Sequence, residues 1–196
     1  MPSSRQVVLA STSRYRRGLL ERLGMPFECA DPQVDEKALA AETPAATAAR
    51  LAEAKARAVA IRFADALVIG SDQVASCDGA RLEKPGGHDN AARQLALVSG
   101  RTAQFDTAVA VLDTQSGTLR SRVVPCRVTF RKLDAARIER YLRLEQPYDC
   151  AGSAKAEGLG IALIERIETE DPTSLIGLPL IALAGLLRDA GFDVLG

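Results

Sequence analysis

The chain of 196 residues has one histidine, His88, and four cysteines, Cys29, Cys77, Cys126 and Cys150, none of them in a CxxC pair. One imidazole and no paired thiols argue against a structural zinc centre or a disulfide framework, and for reduced thiols in a cytosol. Net charge is lacking too: 25 basic side chains balance 25 acidic ones. No long-range field draws such a chain to nucleic acid or to an anionic membrane, so any anion site is local. There is no long hydrophobic run either. The greasiest tract, residues 175–187, contains Gly177 and Pro179 and is too short to span a bilayer. Val7-Val8-Leu9-Ala10 is too short an apolar core for a signal peptide. The expectation is a cytoplasmic protein with no membrane and no nucleic-acid partner. Repeats, low-complexity linkers, GxGxxG and P-loop motifs are all missing, which leaves a Rossmann or Walker-type nucleotide site unsupported.

What is present is ordinary for a soluble, enzyme-sized domain: 47% apolar and 26% charged residues, enough for one good core in one domain or two closely joined lobes. The chain is organised around Ala66-Leu67-Val68-Ile69-Gly70-Ser71-Asp72-Gln73-Val74. This short, β-branched, unalternating run reads as a strand buried on both faces. It stops on Gly-Ser and delivers Asp72 at its carboxyl end, the edge of an α/β sheet where ligands sit. Taken alone, Asp72 is equally well a turn residue.

Upstream, residues 6–10 read as a strand and 14–23 as a helix closed by Gly24, with Ser13 of Ser11-Thr12-Ser13 as N-cap. Arg14, Arg16 and Arg17 crowd its first turn, where the helix dipole is already positive. A strand, a hydroxyl-rich loop and a cationic helix start make a phosphate-sized anion site, unless these arginines merely pair with surface acids. Residues 29–35 look extended and lead into Asp35-Glu36, candidate ligands for a hard cation. Thr43-Pro44 opens a helix to about Phe63 whose apolar stripe is Ala48, Leu51, Ala52, Ala56, Val59 and Phe63. Lys55 falls inside that stripe, so it either snorkels to the rim or reaches a fixed anion, and the second is favoured.

After Asp72 come a tight turn at Cys77-Asp78-Gly79-Ala80 and then Glu83-Lys84-Pro85-Gly86-Gly87, where Pro85 holds Lys84 extended. His88 is left outside the site. Asp89 is expected to cap a helix through Val98, strands to cover 104–112 and 119–130, and Pro125 to mark an edge or a bulge. Asp134 caps a helix that carries Ile138, Tyr141 and Leu142 on one side. A small-residue loop carrying Lys155 and Glu157 precedes a strand over 161–167, and the last helix runs from Gly177-Leu178-Pro179 to Ala190. Cations (Arg16, Arg17, Lys55, Lys84) beside carboxylates (Asp35, Glu36, Asp72) without His or Cys point to a Mg²⁺ or Mn²⁺ site. They fit hydrolysis of a polyphosphate better than zinc or thiol chemistry.

Leu9-Ala10-Ser11-Thr12-Ser13-Arg14-Tyr15-Arg16-Arg17, Val34-Asp35-Glu36, Ala52-Glu53-Ala54-Lys55-Ala56, Gly70-Ser71-Asp72-Gln73, Glu83-Lys84-Pro85, Ala151-Gly152-Ser153 and Gly177-Leu178-Pro179-Leu180 together resemble the Maf family. That family comprises nucleoside triphosphate pyrophosphatases, and the match covers nearly the whole chain in order. The resemblance implies one Maf/ITPase-like domain over residues 1–196, with a long curved mixed sheet flanked by helices and two lobes around a central cleft, commonly a homodimer. It implies that Asp72 accepts the proton, that Glu36 and Asp72 hold a divalent metal, and that Ser13, Arg16, Lys55 and Lys84 hold the triphosphate. Arg14 departs from the family's usual proline. Tyr15, Gln73 and Glu157 resemble the branch acting on 7-methyl-GTP, where the dTTP- and UTP-hydrolysing branch has Arg, Thr and Gln. A cationic methylated guanine suits the face of Tyr15, and Glu157 suits guanine's N–H edge, with Gln73 at its border. The alternatives are a pyrophosphatase for another nucleotide such as dTTP or UTP, or a nucleotide-binding regulator of cell division.

Overall fold

The apolar run that starts at Ala66 continues as one strand to Cys77, and its pleat sorts side chains to opposite faces. The computed structural model describes residues 5–196. In chain order the elements are β1 (Gln6–Ala10), α1 (Arg14–Glu21), β2 (Glu28–Ala30), α2 (Pro44–Ala60), β3 (Ala66–Cys77), β4 (Ala80–Leu82), α3 (His88–Val98), β5 (Thr102–Asp113), β6 (Leu119–Phe130), α4 (Ala135–Glu145), β7 (Ile164–Thr169) and α5 (Leu180–Asp189). Short 3₁₀ turns occupy Ala151–Ser153, Leu159–Leu163 and Ser174–Ile176. The fold is α/β, with strand order β2-β1-β3-β5-β6-β7 and β4 paired to β3. The sheet is mixed: β1 lies parallel to β2 and β3, whereas β3 with β4 and β6 with β7 are antiparallel. No described helix is long and apolar enough to cross a membrane.

Two compact units divide the chain. The first takes residues up to 73, 107–124 and 171–196; the second takes 74–106 and 125–170. The first unit's core gathers Val7, Leu9, Leu67, Ile69, Val109 and Val111 from the strands with Leu19, Leu20, Leu183 and Leu187 from α1 and α5. Gly70 faces the other way, toward α2. A Cβ there would stand 2.0 Å from Ala52 O, so α2 lies against β3 closely enough that only hydrogen fits. The start of α5 is held from a distance. The buried Asp171 accepts from Ile181 N at 2.7 Å and Ala182 N at 3.2 Å, and also from the Thr173 hydroxyl at 2.7 Å.

Five local expectations are corrected. The first helix ends at Glu21, two residues early, and α2 ends at Ala60, ahead of Phe63. Gly87, not Asp89, stands at the N-cap of α3, where no side chain caps; Asp89 lies in the first turn, where its charge suits the dipole. Residues 161–163 belong to a 3₁₀ turn and β7 begins at Ile164, because a short apolar run does not by itself separate strand from helix. Pro125 is not at the bulge but on a locally unpaired margin of β6. Pairing with β7 begins at Cys126 opposite Thr169, so Pro125 lies just beyond the ladder, and the irregularity falls at Thr129/Phe130.

Candidate active site

Because β1, β2 and β3 run parallel, their carboxyl ends lie at one edge of the first unit. From that edge emerge Ser11-Thr12-Ser13 after β1, the segment leading to Glu36 after β2, and Asp72 near the end of the buried run of β3. The pleat of β3 does the sorting. Even-numbered Gly70 and Asp72 face α2, while odd-numbered Leu67 and Ile69 enter the core and Ser71 and Gln73 reach the 174–177 turn.

On the α2 side, Lys55 is 3% exposed and its Nζ donates to Asp72 Oδ1 at 2.7 Å. The same ammonium pairs with Glu36 Oε1. Asp72 is itself buried, whereas Glu36 keeps 57% of its side chain open to water. The two carboxylates thus converge on one point from opposite ends of a long sequence separation. Asp35, next to Glu36, is an exposed turn residue whose Oδ1 accepts from Lys37 N at 3.1 Å.

On the α1 side, the Ser13 hydroxyl accepts from Arg16 N at 3.4 Å, and Ser11 Oγ accepts from Ser13 N at 3.1 Å, which fixes the helix start. Arg16 is half-buried and its Nε donates to Gly177 O at 2.9 Å. Burial lowers the pKa of its guanidinium, and the charges of Asp72 and Glu36 work against that shift. Arg16, Lys55, Glu36 and Asp72 therefore form one electrostatic group. Arg17 stands apart, exposed and paired with Glu21 on its own helix at 3.1 Å.

The 174–177 turn completes this edge. Ser71 Oγ lies 2.8 Å from Ala108 O and 2.9 Å from Gly177 O, and Gln73 Nε2 donates to Thr107 Oγ1, Ser174 O and Leu175 O at 2.9, 3.0 and 3.1 Å. The Gly177 carbonyl, which orients Arg16, was not among the residues singled out in the sequence; the Gly-Leu-Pro motif around it was the available signal. Tyr15 carries a guanidinium over its ring: Arg14 Cζ is 4.9 Å from the centroid, and Arg14 donates to the Tyr15 hydroxyl at 2.8 Å.

Lys84 and Glu157 belong to the second unit. Lys84 is exposed in the loop after β4. Glu157 is exposed on a turn that Glu145 braces from α4. Glu145 accepts from Lys155 Nζ at 2.9 Å and Leu159 N at 2.7 Å. Burial raises the pKa of Glu145, but those two hydrogen bonds and the charge of Lys155 together lower it, and the net shift is downward. His88 stays apart from these groups, between Glu139 at 2.7 Å and the Tyr148 hydroxyl at 3.1 Å.

Glu36 and Asp72 fit a hard divalent cation. Their oxygens already converge on one positive charge, and Mg²⁺ takes one or two carboxylates and completes its shell with water and substrate phosphates. Among the described residues no group of three or more His, Cys, Asp or Glu side chains gathers as a self-sufficient metal cage.

A family model described as Maf-like protein matches residues 6–190. A protein named 7-methyl-GTP pyrophosphatase from Polaromonas sp. is 58% identical over 190 residues, 97% of this chain and 87% of that one. One of the same name from Cupriavidus metallidurans is 55% identical over 190 residues, 97% of this chain and 96% of its own. A third, from Burkholderia mallei, is 53% identical over 194 residues, 97% of this chain and 90% of its own.

Proposed function

The chain belongs to the Maf family, and we propose that it is a nucleoside triphosphate pyrophosphatase that hydrolyses 7-methyl-GTP to 7-methyl-GMP and pyrophosphate. The observation that carries this reading is the buried Lys55 ammonium held between Asp72 and Glu36 at the carboxyl edge of three parallel strands. The names of relatives more than half identical along nearly the whole chain supply the substrate.

In this reading Ser13, Arg16, Lys55 and Lys84 bind the triphosphate, and the N-terminus of α1 offers it backbone N–H groups. Lys55 holds one oxygen of Asp72 and so fixes the direction of the other. Water attacks the α-phosphorus while Asp72 takes its proton; the bond to the bridging oxygen breaks, and pyrophosphate leaves. Glu36 and Asp72 would hold Mg²⁺ or Mn²⁺, which when bound neutralises phosphate charge. For the base, Tyr15 offers a ring face already adapted to a cation, Gln73 offers its carbonyl oxygen, and Glu157 offers a carboxylate to guanine's N–H edge.

The test is a product assay. Purified protein with Mg²⁺ is given 7-methyl-GTP, GTP, dTTP and UTP in parallel. The expected result is pyrophosphate and the monophosphate, fastest from 7-methyl-GTP. Orthophosphate as the first product would refute the reaction, and faster turnover of dTTP or UTP would refute the base assignment.

A further inference from the structure

Within the second unit, the backbone on both sides of Lys84 is fastened to one helix. Gln94 Nε2 donates to Glu83 O at 2.8 Å, and Asn90 Nδ2 donates to Pro85 O at 2.9 Å. Asn90 and Gln94 lie one turn apart on α3, so the two amides stand on one face of the helix and grip the carbonyls that bracket Lys84. The Gln94 amide is itself oriented: its oxygen accepts from Ser153 Oγ at 2.7 Å, and Ser153 is fully buried. A carbonyl-facing amide nitrogen with a hydroxyl on its oxygen has one orientation and no reason to flip. The loop has one more tie, Gly86 N to Tyr148 O at 3.0 Å. Lys84 itself is exposed and contributes little to this framework. The hydrogen bonds hold the backbone from which its side chain extends.

We propose that Asn90 and Gln94 are positioning residues for Lys84, a two-point clamp that sets its ammonium for a substrate phosphate, with Ser153 orienting Gln94. The proposal rests on the reading that Lys84 holds the triphosphate. A four-carbon ammonium has many rotamers to lose. Fixing the backbone at its root confines the volume its tip explores, so less order has to be imposed when the phosphate binds.

The experiment is a set of double-mutant cycles on the full chain, with kcat, KM and thermal stability measured for Lys84→Ala, Gln94→Met, Asn90→Ala and the pairs of each with Lys84→Ala. Gln94→Met and Asn90→Ala are uncharged, so they add no field of their own. Each is expected to lower kcat/KM for 7-methyl-GTP about tenfold, the scale of one lost hydrogen bond, with folding retained. On the Lys84→Ala background neither should lower it further. A merely structural role would reduce activity by the same factor with or without Lys84. If Lys84→Ala alone leaves kcat/KM unchanged, the phosphate role of Lys84 fails and the clamp with it. If Lys84→Ala is impaired but the α3 substitutions are silent, or their losses multiply in full on its background, the clamp alone is refuted.

Discussion

Lys55 is the residue whose surroundings matter most. Its place inside an apolar helical stripe is legible in the sequence, where a lysine either snorkels or meets a charge; it meets two, Asp72 and Glu36. The residues alone left two adjacent acids open, and only the family resemblance singled out Glu36. Asp35 turns onto its own loop and Glu36 reaches in, a choice made by loop conformation. The Arg14 guanidinium over Tyr15 was not legible either, since it depends on rotamers that spacing does not encode. At this scale the convergence of the two carboxylates makes a prediction. Lys55→Met leaves Asp72 buried without its cation, and stability should fall by about 3–5 kcal/mol. Added Mg²⁺ should raise the melting temperature of that variant more than that of the parent, as read by thermal denaturation. An equal rise in both would count against a cation site at Glu36 and Asp72.

At the scale of elements, the contact of α2 with β3 is what brings Lys55 over Asp72. Ala48, Ala52 and Ala56 make a small-residue stripe on α2, and Gly70 on β3 accepts it with no room for a methyl group. Gly70→Ala places a carbon against Ala52 O and Ala56 N, both backbone atoms that cannot rotate away. It should cost about 3 kcal/mol or more and lower activity by displacing Lys55, measured as a loss in melting temperature together with kcat/KM. Unchanged stability would mean that α2 packs less closely than described. Most elements were readable from periodicity and capping residues: Ser13, Thr43 and Asp134 all accept at the N-caps expected of them. The supports that act across distance were not. Asp171 holds N–H groups ten and eleven residues away, and Glu145 braces a turn beyond the end of its helix. Neither leaves a local signature.

For the whole molecule, the division into two units was open in the sequence and could not be located there. Three of the four boundaries fall inside β3, β5 and β6 and the fourth between Glu170 and Asp171, just after β7, so no Gly- or Ser-rich linker marks them. Whole-chain stability should also have an acid limb. The hydrogen bond from Arg50 holds Glu42 at about 2, and the one from Arg5 holds Asp113 below the usual carboxylate range. A pKa depressed in the folded state contributes stability that is fully present above the unfolded values, near 4.5 for Glu42 and 3.8 for Asp113, and is lost as pH falls through the folded ones. Urea unfolding should therefore show stability falling between about pH 4.5 and pH 2, with a shallower slope in Asp113→Asn. An unchanged slope in that variant would mean that the Arg5 pair does not persist in solution.

The central claim is that Asp72, held by Lys55, takes the proton as the α-phosphorus is attacked. The most direct measurement is pyrophosphate release from 7-methyl-GTP by Asp72→Asn, an isosteric change, alongside the parent protein and with circular dichroism to confirm the fold. The account predicts that turnover drops by at least about a hundredfold, the low end of what a positioned base supplies, while the nucleotide still binds. Turnover within a few-fold of the parent would contradict it.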